Sequence, residues 1–182
     1  MIRSIAAYLF AAFIAVIPAA TAQVTVNISE GTLKPTPIAI PVFEAEGADR
    51  QLATDITSVV QNDLLSTGLF SITPESAYIQ RDLSIDSQPR FADWKIIQTD
   101  ALVVGEVDRV TIEGVEFIRA SVRLWDVYGE EVMRLEGQAG RRFTAKPEDW
   151  RRIAHKIADT IYSRLTGEDP YFDSRIVYVA ET

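Results

Sequence analysis

The sequence contains no cysteine among its 182 residues. Disulfide bonds, thiol nucleophiles and thiolate metal sites are therefore excluded, and so is a lipid anchor on a cysteine behind a leader segment. A domain without disulfides has to be stabilised by its hydrophobic core. Apolar residues make up 47% of the chain, which favours a folded domain over a disordered one.

Histidine is almost absent as well. His155 is the only one, and it lies off the apolar stripe of the last predicted helix, so we expect it to be solvated. No second histidine and no cysteine could join it in a metal site or a catalytic triad. The sequence also lacks GxSxG, P-loop and GxGxxG motifs. We therefore expect no enzymatic activity, no metal and no cofactor.

Carboxylates are plentiful, and two of them together could act as a general acid and base. Their positions favour solvation instead, because they fall in predicted loops, on exposed helix faces or at a turn. The residues concerned are Glu44, Glu46, Asp49, Asp55, Asp63, Glu130 and Glu131.

Positive charge is in short supply. The chain has 18 Lys and Arg against 26 Asp and Glu, a formal net charge of −8. No basic stripe interrupts this field, which repels polyanions, so the sequence predicts no nucleic-acid binding. A basic protein partner would be steered towards the chain.

A signal peptide is predicted at the N-terminus. Arg3 precedes an uncharged apolar run, Ile5–Ile17, which Pro18 ends. The run is about 13 residues long, whereas about 20 are needed to cross a bilayer as a helix. We expect cleavage after Ala22, which makes Gln23 the first mature residue and leaves no integral membrane segment. An uncleaved anchor is the alternative.

The first mature residues form a separate short unit. Apolar and polar residues alternate through Val24–Ile28, as in a half-buried strand, and Ser29–Thr32 resembles a turn or link. Such a strand could join the sheet edge of another protein, with backbone hydrogen bonds supplying affinity. Alternatively, it completes the sheet of its own domain.

The middle of the chain predicts a single α/β domain with a mixed sheet and two main helices. Pro41 interrupts a predicted strand over 38–43, which places that strand at an edge or gives it a bulge. Helical spacing of Leu52, Ile56, Val59, Val60 and Leu64 predicts the first helix, with Gly68 at its end. A strand over 69–72, a loop over 75–90 and a short helix over 93–97 follow.

The second half of this domain predicts a hairpin and the other main helix. A buried strand over 101–107 is followed by apolar alternation over 118–124, a turn at 127–130 and one further strand to about Phe143. Pro147 to Asp149 suit the first turn of a helix that Gly167 ends.

Trp125 has two interpretations. It shares the strand face of Arg119, Ser121 and Arg123 rather than the apolar face. An exposed tryptophan beside arginines could anchor a partner. A covering helix or a further domain could equally bury it.

The end of the sequence leads away from this domain. Glu168–Pro170 is predicted to be a linker, and Arg175–Ala180 has the pattern of another buried strand. That strand needs partners which this sequence does not supply, so we expect the chain to be incomplete.

A collinear series of motifs resembles the N-terminal domain of the TolB family. It runs from VTVNISEG at Val24 through PIAIPVF, NDLLSTGLF and DALVVG to LTGE, and it ends with SRIVYV at Ser174. The resemblance covers essentially the whole chain. It implies four parts: a signal peptide (1–22), a partner-binding strand with its link (23–34), the α/β domain (35–167), and a linker with the first strand of a six-bladed β-propeller (168–182).

The resemblance also implies function. Family members are periplasmic adaptors of the Tol-Pal system, which helps the outer membrane constrict during division and stay intact. Their propeller binds the lipoprotein Pal, and their mature N-terminal segment binds TolA and switches between sequestered and released forms. In this sequence the segment maps onto Gln23, Val24, Thr25, Val26, Asn27, Ile28, Ser29, Glu30, Gly31, Thr32 and Leu33.

Two other functions remain as alternatives. The motifs IAIPVF and GLF also resemble small α/β domains of exported secretion or synthase-activator factors, although those carry a lipidated cysteine that is absent here. A periplasmic enzyme is the third, and no histidine or cysteine constellation supports it.

Overall fold

A computed structural model describes residues 34–174 of the chain. The predicted signal peptide, the cleavage site between Ala22 and Gln23, the contact segment 23–33 and the strand over 175–180 lie outside the described residues. The main elements are β1 (Thr36–Ala39), α1 (Arg50–Ser66), β2 (Phe70–Ile72), α2 (Phe91–Ile96), β3 (Ala101–Ile112), β4 (Val115–Asp126), β5 (Glu131–Met133), β6 (Arg141–Ala145) and α3 (Trp150–Thr166).

The strands form one mixed, six-stranded sheet. Its order is β2-β1-β3-β4, and β5 and β6 both pair with the remaining edge of β4 at different heights. β1 runs parallel to β2 and β3, whereas β4 is antiparallel to β3, β5 and β6. The predicted fold, a single α/β domain with a mixed sheet and two main helices, is confirmed.

Both long helices pack on the same face of the sheet. Their apolar stripes, which include Ile56 and Leu64 on α1 and Ile157 and Ile161 on α3, are fully buried against β3 and β4. Burial of each such side chain contributes roughly 1.5–3 kcal/mol. The predicted end of α3 is confirmed, because Gly167 has a φ of 79° and closes the helix in the left-handed conformation.

The opposite face is only partly covered. Helix α2 and the loop before it bury Trp94 and Trp125, and the Trp125 ring contacts Phe91 edge-to-face at a centroid distance of 5.8 Å. Trp125 is only 8% exposed. The covering-helix interpretation of this residue is therefore confirmed, and its interpretation as an exposed anchor for a partner is wrong.

The edge position predicted for the Pro41 strand is also wrong. β1 lies between β2 and β3 and already ends at Ala39. Pairing with β3 resumes only at Glu44, which lies opposite Glu106. The chain between Ala39 and Glu44 has one residue more than the facing stretch that starts at Leu102. The proline therefore occupies a local irregularity in which no ladder donor is required, so the bulge, the other alternative predicted for this strand, is confirmed.

The single strand predicted up to Phe143 is divided into β5 and β6. Between them Leu135 and Gln138 exchange two backbone hydrogen bonds around a tight turn. Its central residues, Glu136 and Gly137, both have positive φ, at 48° and 83°. Because this turn interrupts the pairing with β4, two short strands pair with β4 instead of one long strand.

Within residues 34–174, no helix combines the length and apolar character that a membrane crossing requires.

Candidate partner-binding site

The predicted contact segment, Gln23–Leu33, enters the described fold at Lys34. There the chain borders a groove of about 530 Å³ between the start of β1, the end of β2 and Tyr128. Among the described strands β2 pairs only with β1, so one sheet edge adjoins this groove. The structure therefore shows where the segment joins the domain, at Lys34. Residues 23–33 themselves lie outside the described residues.

β1 is held in the sheet from its first residue. The Thr36 amide donates to the Leu69 carbonyl at 2.9 Å, and the Asp100 amide donates to the Pro37 carbonyl at 2.9 Å. Ile38, the next residue, is fully buried. None of these contacts involves residues before Lys34, so the domain has its own anchor for β1, independent of the contact segment.

The root of the segment is acidic. Burial, together with the nearby Asp126 carboxylate, raises the pKa of Asp100, while Lys34 opposes this shift. Asp126 is only 4% exposed, and its Oδ1 accepts the amides of Tyr128 and Gly129 at 3.0 and 2.8 Å. A cationic partner group would be favoured at this end of the sheet.

The solvated positions predicted for His155 and Asp63 are wrong. His155 Nδ1 lies 2.7 Å from Asp63 Oδ2 and joins α3 to α1. The His155 side chain is 34% exposed and that of Asp63 is 17% exposed. The pair is thus a half-buried bridge between the two long helices. Its contact accounts for both side chains by a structural role in joining α1 to α3.

The carboxylates after β1 line a second groove, of about 630 Å³. Burial and the charges of Glu106 and Asp86 raise the pKa of Glu44. Asp49, predicted to be a solvated loop residue, is instead bound by Arg109 at 2.6 Å. No hydrogen bond joins the Glu44 and Glu106 carboxylates, and no set of three or more potential ligands within 34–174 could hold a metal ion.

Sequence reasoning missed a cluster behind α3. The predicted linker folds back along this helix, and Tyr171 and Phe172 both pack edge-to-face on Tyr162 at centroid distances of 5.3 and 5.7 Å. Asp159 accepts backbone hydrogen bonds from the same stretch. Two aromatic residues beside a Glu-Asp-Pro linker are the only signal in the sequence that could have indicated this docking.

The family model for the TolB amino-terminal domain matches residues 24–133. The chain belongs to the TolB amino-terminal domain family. The match starts within the predicted contact segment and runs through β5, so it spans the parallel half of the sheet and the long β3–β4 pair.

A curated relative agrees with this family membership. The Tol-Pal system protein TolB of Paramagnetospirillum magneticum is 45% identical over an alignment of 188 residues, which covers 100% of this chain and 39% of the relative. The chain thus spans about two fifths of the length of this relative.

The fold agrees with a crystal structure of TolB from Acinetobacter baumannii. This match has a TM-score of 0.53 and 19% sequence identity, and it covers 74% of this chain and 29% of that one. At this identity the likeness concerns the fold alone.

Proposed function

We propose that this chain is the amino-terminal part of a non-enzymatic adaptor of the Tol-Pal system, which acts by binding other proteins in the periplasm. Gln23–Leu33 is its contact segment for a TolA-like inner-membrane protein. The observation that carries the proposal is the family match over residues 24–133, which includes all but the first residue of this segment.

The described domain is suited to carry this contact segment. β1 is hydrogen-bonded on both sides from Thr36 onwards, so the segment before it can change partners without removing a strand from the core. The alternation over Val24–Ile28 suits addition to a partner's sheet edge. Backbone hydrogen bonds supply affinity in this mode, and the alternate side chains provide selection.

The other parts of the chain have roles in the same proposal. Residues 1–22 are a cleaved signal peptide, 23–34 the contact strand and link, 35–167 the scaffold, and 168–182 the connection to a β-propeller that binds the lipoprotein Pal. The 39% share of the relative's length leaves room for such a propeller. The whole assembly supports outer-membrane constriction during division and outer-membrane integrity.

The proposal is tested by binding of the mature chain, which starts at Gln23, to the C-terminal domain of TolA. A second chain that starts at Pro35 retains β1 and its hydrogen bonds. We expect titration calorimetry to show binding by the first chain and none by the second. Equal binding by both chains would place the interface on the scaffold and overturn the assignment of the segment.

A pair of proline substitutions provides a matched control. Val26→Pro removes a backbone donor from the middle of the strand, so we expect it to abolish binding. Lys34→Pro introduces the same residue just outside the contact segment, at an exposed position, and should leave the affinity within about twofold, a free-energy change of about 0.4 kcal/mol. Failure of the unmodified mature chain to bind, with its folding verified by circular dichroism, would contradict the adaptor role of this segment.

A further inference from the structure

The β3–β4 hairpin extends beyond the rest of the sheet. On one side, the pairing of β3 with the preceding chain ends at Glu106, and on the other, the pairing of β4 with β6 ends at Ile118. Within the described residues, 108–117 therefore form a two-stranded ribbon with no neighbouring strand, which we call the hairpin tip. A ribbon of two strands is marginally stable in water unless one of its faces packs against another element.

The hairpin tip has one apolar face. Val110 lies opposite Phe117 and Ile112 lies opposite Val115, so these four side chains share one side of the ribbon. Ile112 and Val115 are each 49% exposed. None of the four belongs to, or packs against, either hydrophobic core of the described domain. The domain itself therefore leaves this apolar face uncovered.

A free strand edge lies beside this face. The Val107 amide donates to the Glu44 carbonyl at 2.7 Å, so the backbone of Val107 points away from β4. Because this direction alternates along a strand, the backbone groups of Arg109 and Thr111 point to the same edge. They have no hydrogen-bond partner there within residues 34–174. An extended polypeptide can therefore add to β3 at this edge.

The surroundings of the hairpin tip are acidic. Residues 44–49 and 104–117 contain seven carboxylates and a single cation, Arg109. Arg109 is already paired with Asp49 and Glu116, each at 2.6 Å. Glu106 and Glu113 form no ion pair with any residue of 34–174. The charge around this apolar face therefore favours a cationic partner.

We propose that the hairpin tip binds an extended segment of a partner protein that carries apolar and basic residues. The backbone of this segment pairs with the free edge of β3, and its apolar side chains cover Val110 and Ile112. Its basic side chains are attracted by the carboxylates beside β3. A second copy of this chain would bring further negative charge to the same surface, and so would an anionic lipid headgroup, which is why neither is the expected occupant.

This surface is separate from the contact segment 23–33. Lys34, where that segment joins the domain, lines a groove with Asp100, just before β3 starts, whereas the hairpin tip is at the other end of β3. Binding at the hairpin tip and binding to TolA can therefore be tested, and can fail, independently of each other.

The probe is a short fluorescein-labelled peptide of alternating lysine and valine, and its match has glutamate in place of lysine. Fluorescence anisotropy measures the binding of each peptide to the full 182-residue chain. The hairpin variant combines Ile112→Thr with Val115→Thr, which removes apolar surface but keeps β-branched side chains in the strands. The matched control combines Ile79→Thr with Ile96→Thr, since these two residues are 49% and 71% exposed and lie outside the hairpin tip.

We expect the lysine peptide to bind the natural chain and the control with affinities within about twofold of each other, and the hairpin variant at least about tenfold more weakly. The glutamate peptide should bind none of the three chains measurably. Equal binding of the lysine peptide by the hairpin variant and the natural chain, or no binding by the natural chain, would refute the proposal. Far-UV circular dichroism and the urea midpoint verify that both variants are folded.

Two further measurements address the other occupants. Sedimentation velocity tests for self-association of the natural chain, and co-sedimentation tests its binding to phosphatidylglycerol vesicles. We expect neither. Self-association or vesicle binding that the hairpin variant loses would overturn the proposal in favour of a second copy or a membrane surface, respectively.

Discussion

Gly105 allows Phe43 to pack against the middle of β3. A methyl group at this position would lie 2.6 Å from the nearest ring carbons of Phe43, which is itself 3% exposed. Gly105→Ala therefore forces either the ring or the strand to move, and overpacking of this kind costs about 1–3 kcal/mol. We expect urea unfolding to show a lower midpoint with an unchanged denaturant dependence.

The Phe43→Ala background tests whether the ring is the cause. Removing the ring costs about 3–5 kcal/mol by itself, because it leaves a cavity. Adding Gly105→Ala to this background should then cost much less than it does in the natural chain. Additive effects of the two substitutions would contradict a direct clash.

Asp100 should make the stability of the domain depend on pH. Its pKa is raised in the folded chain, mainly by burial and then by Asp126, and has its ordinary value in the unfolded chain. Between these two values the folded state binds more protons, so stability falls as pH rises, and the full penalty is present at neutral pH. Asp100→Asn removes this penalty, so we expect the variant to be more stable at pH 7.

The stability difference between this variant and the natural chain should disappear in acid, once Asp100 is protonated in both states. Asp169→Asn is the control, since Asp169 is exposed in the linker. Urea titrations from pH 3 to 7 measure both variants. A gain for Asp100→Asn that is constant with pH would show that packing, rather than charge, is responsible.

Pairings between distant residues were beyond prediction from the sequence. His155 and Asp63 are 92 positions apart, and nothing in either local pattern indicates the partner. His155 was expected to be solvated because it lies off the apolar stripe of α3. The bridge exists because α1 and α3 pack side by side, which depends on the tertiary structure.

Among the elements, the two long helices could be predicted and several turns could not. The period of the apolar residues and the glycines at 68 and 167 located α1 and α3 closely. The missed turns, Glu113-Gly114 and Glu136-Gly137, each place a glutamate at positive φ. Glutamate is uncommon there, whereas Asn-Gly or Asp-Gly would have indicated a hairpin. The extent of the β3–β4 hairpin was therefore not recognised.

The β3–β4 turn should become more stable when its first residue, Glu113, is replaced by one that favours positive φ. Glu113 has a φ of 51° and is exposed. Glu113→Asn creates an Asn-Gly pair, which favours two consecutive positive φ values, so we expect a stabilisation of about 0.5 kcal/mol. Glu113→Ala removes the same charge without this preference and should not stabilise the chain. Thermal unfolding compares the two variants, and equal gains would attribute the effect to charge.

Residues 171–173 should detach from α3 when the Asp159 carboxylate, which accepts their backbone hydrogen bonds, is removed. Asp159→Ala abolishes three backbone hydrogen bonds to residues 171–173. We expect faster hydrogen exchange at these amides and easier proteolysis near them, because local opening no longer breaks those bonds. The global unfolding midpoint should change much less. Asp169→Ala is the matched control, and equal protection of 171–173 in both variants would argue against the Asp159 anchor.

At the scale of the whole molecule, the family could be predicted from the collinear motifs of the sequence, whereas the arrangement of the scaffold required the structure. The missing cysteines, the single histidine and the net charge of −8 are the features from which the sequence predicts a binding protein. Residues 23–33, the proposed contact segment, lie outside the described residues, so the scaffold locates their root at Lys34. The packing of residues 171–173 on α3 depends on a chain reversal that no local pattern encodes.

If the contact segment and the scaffold are separate units, binding and stability should be separable too. The chain that starts at Pro35 keeps every described hydrogen bond of β1, including those of Thr36 and Pro37. We expect its free energy of unfolding to lie within about 0.5 kcal/mol of that of the mature chain, with an equal denaturant dependence. Guanidinium unfolding of both chains provides the measurement.

A lower stability of the chain that starts at Pro35 would also have a specific structural meaning. A loss of several kcal/mol, together with a smaller denaturant dependence, would mean that residues 23–34 bury surface against the domain, as in the alternative where Val24–Ile28 completes its sheet. β2 offers the edge for that arrangement beside Lys34. A partner would then have to displace the strand before binding it, so the affinity of the mature chain would be reduced by the fraction of molecules in which the strand is docked.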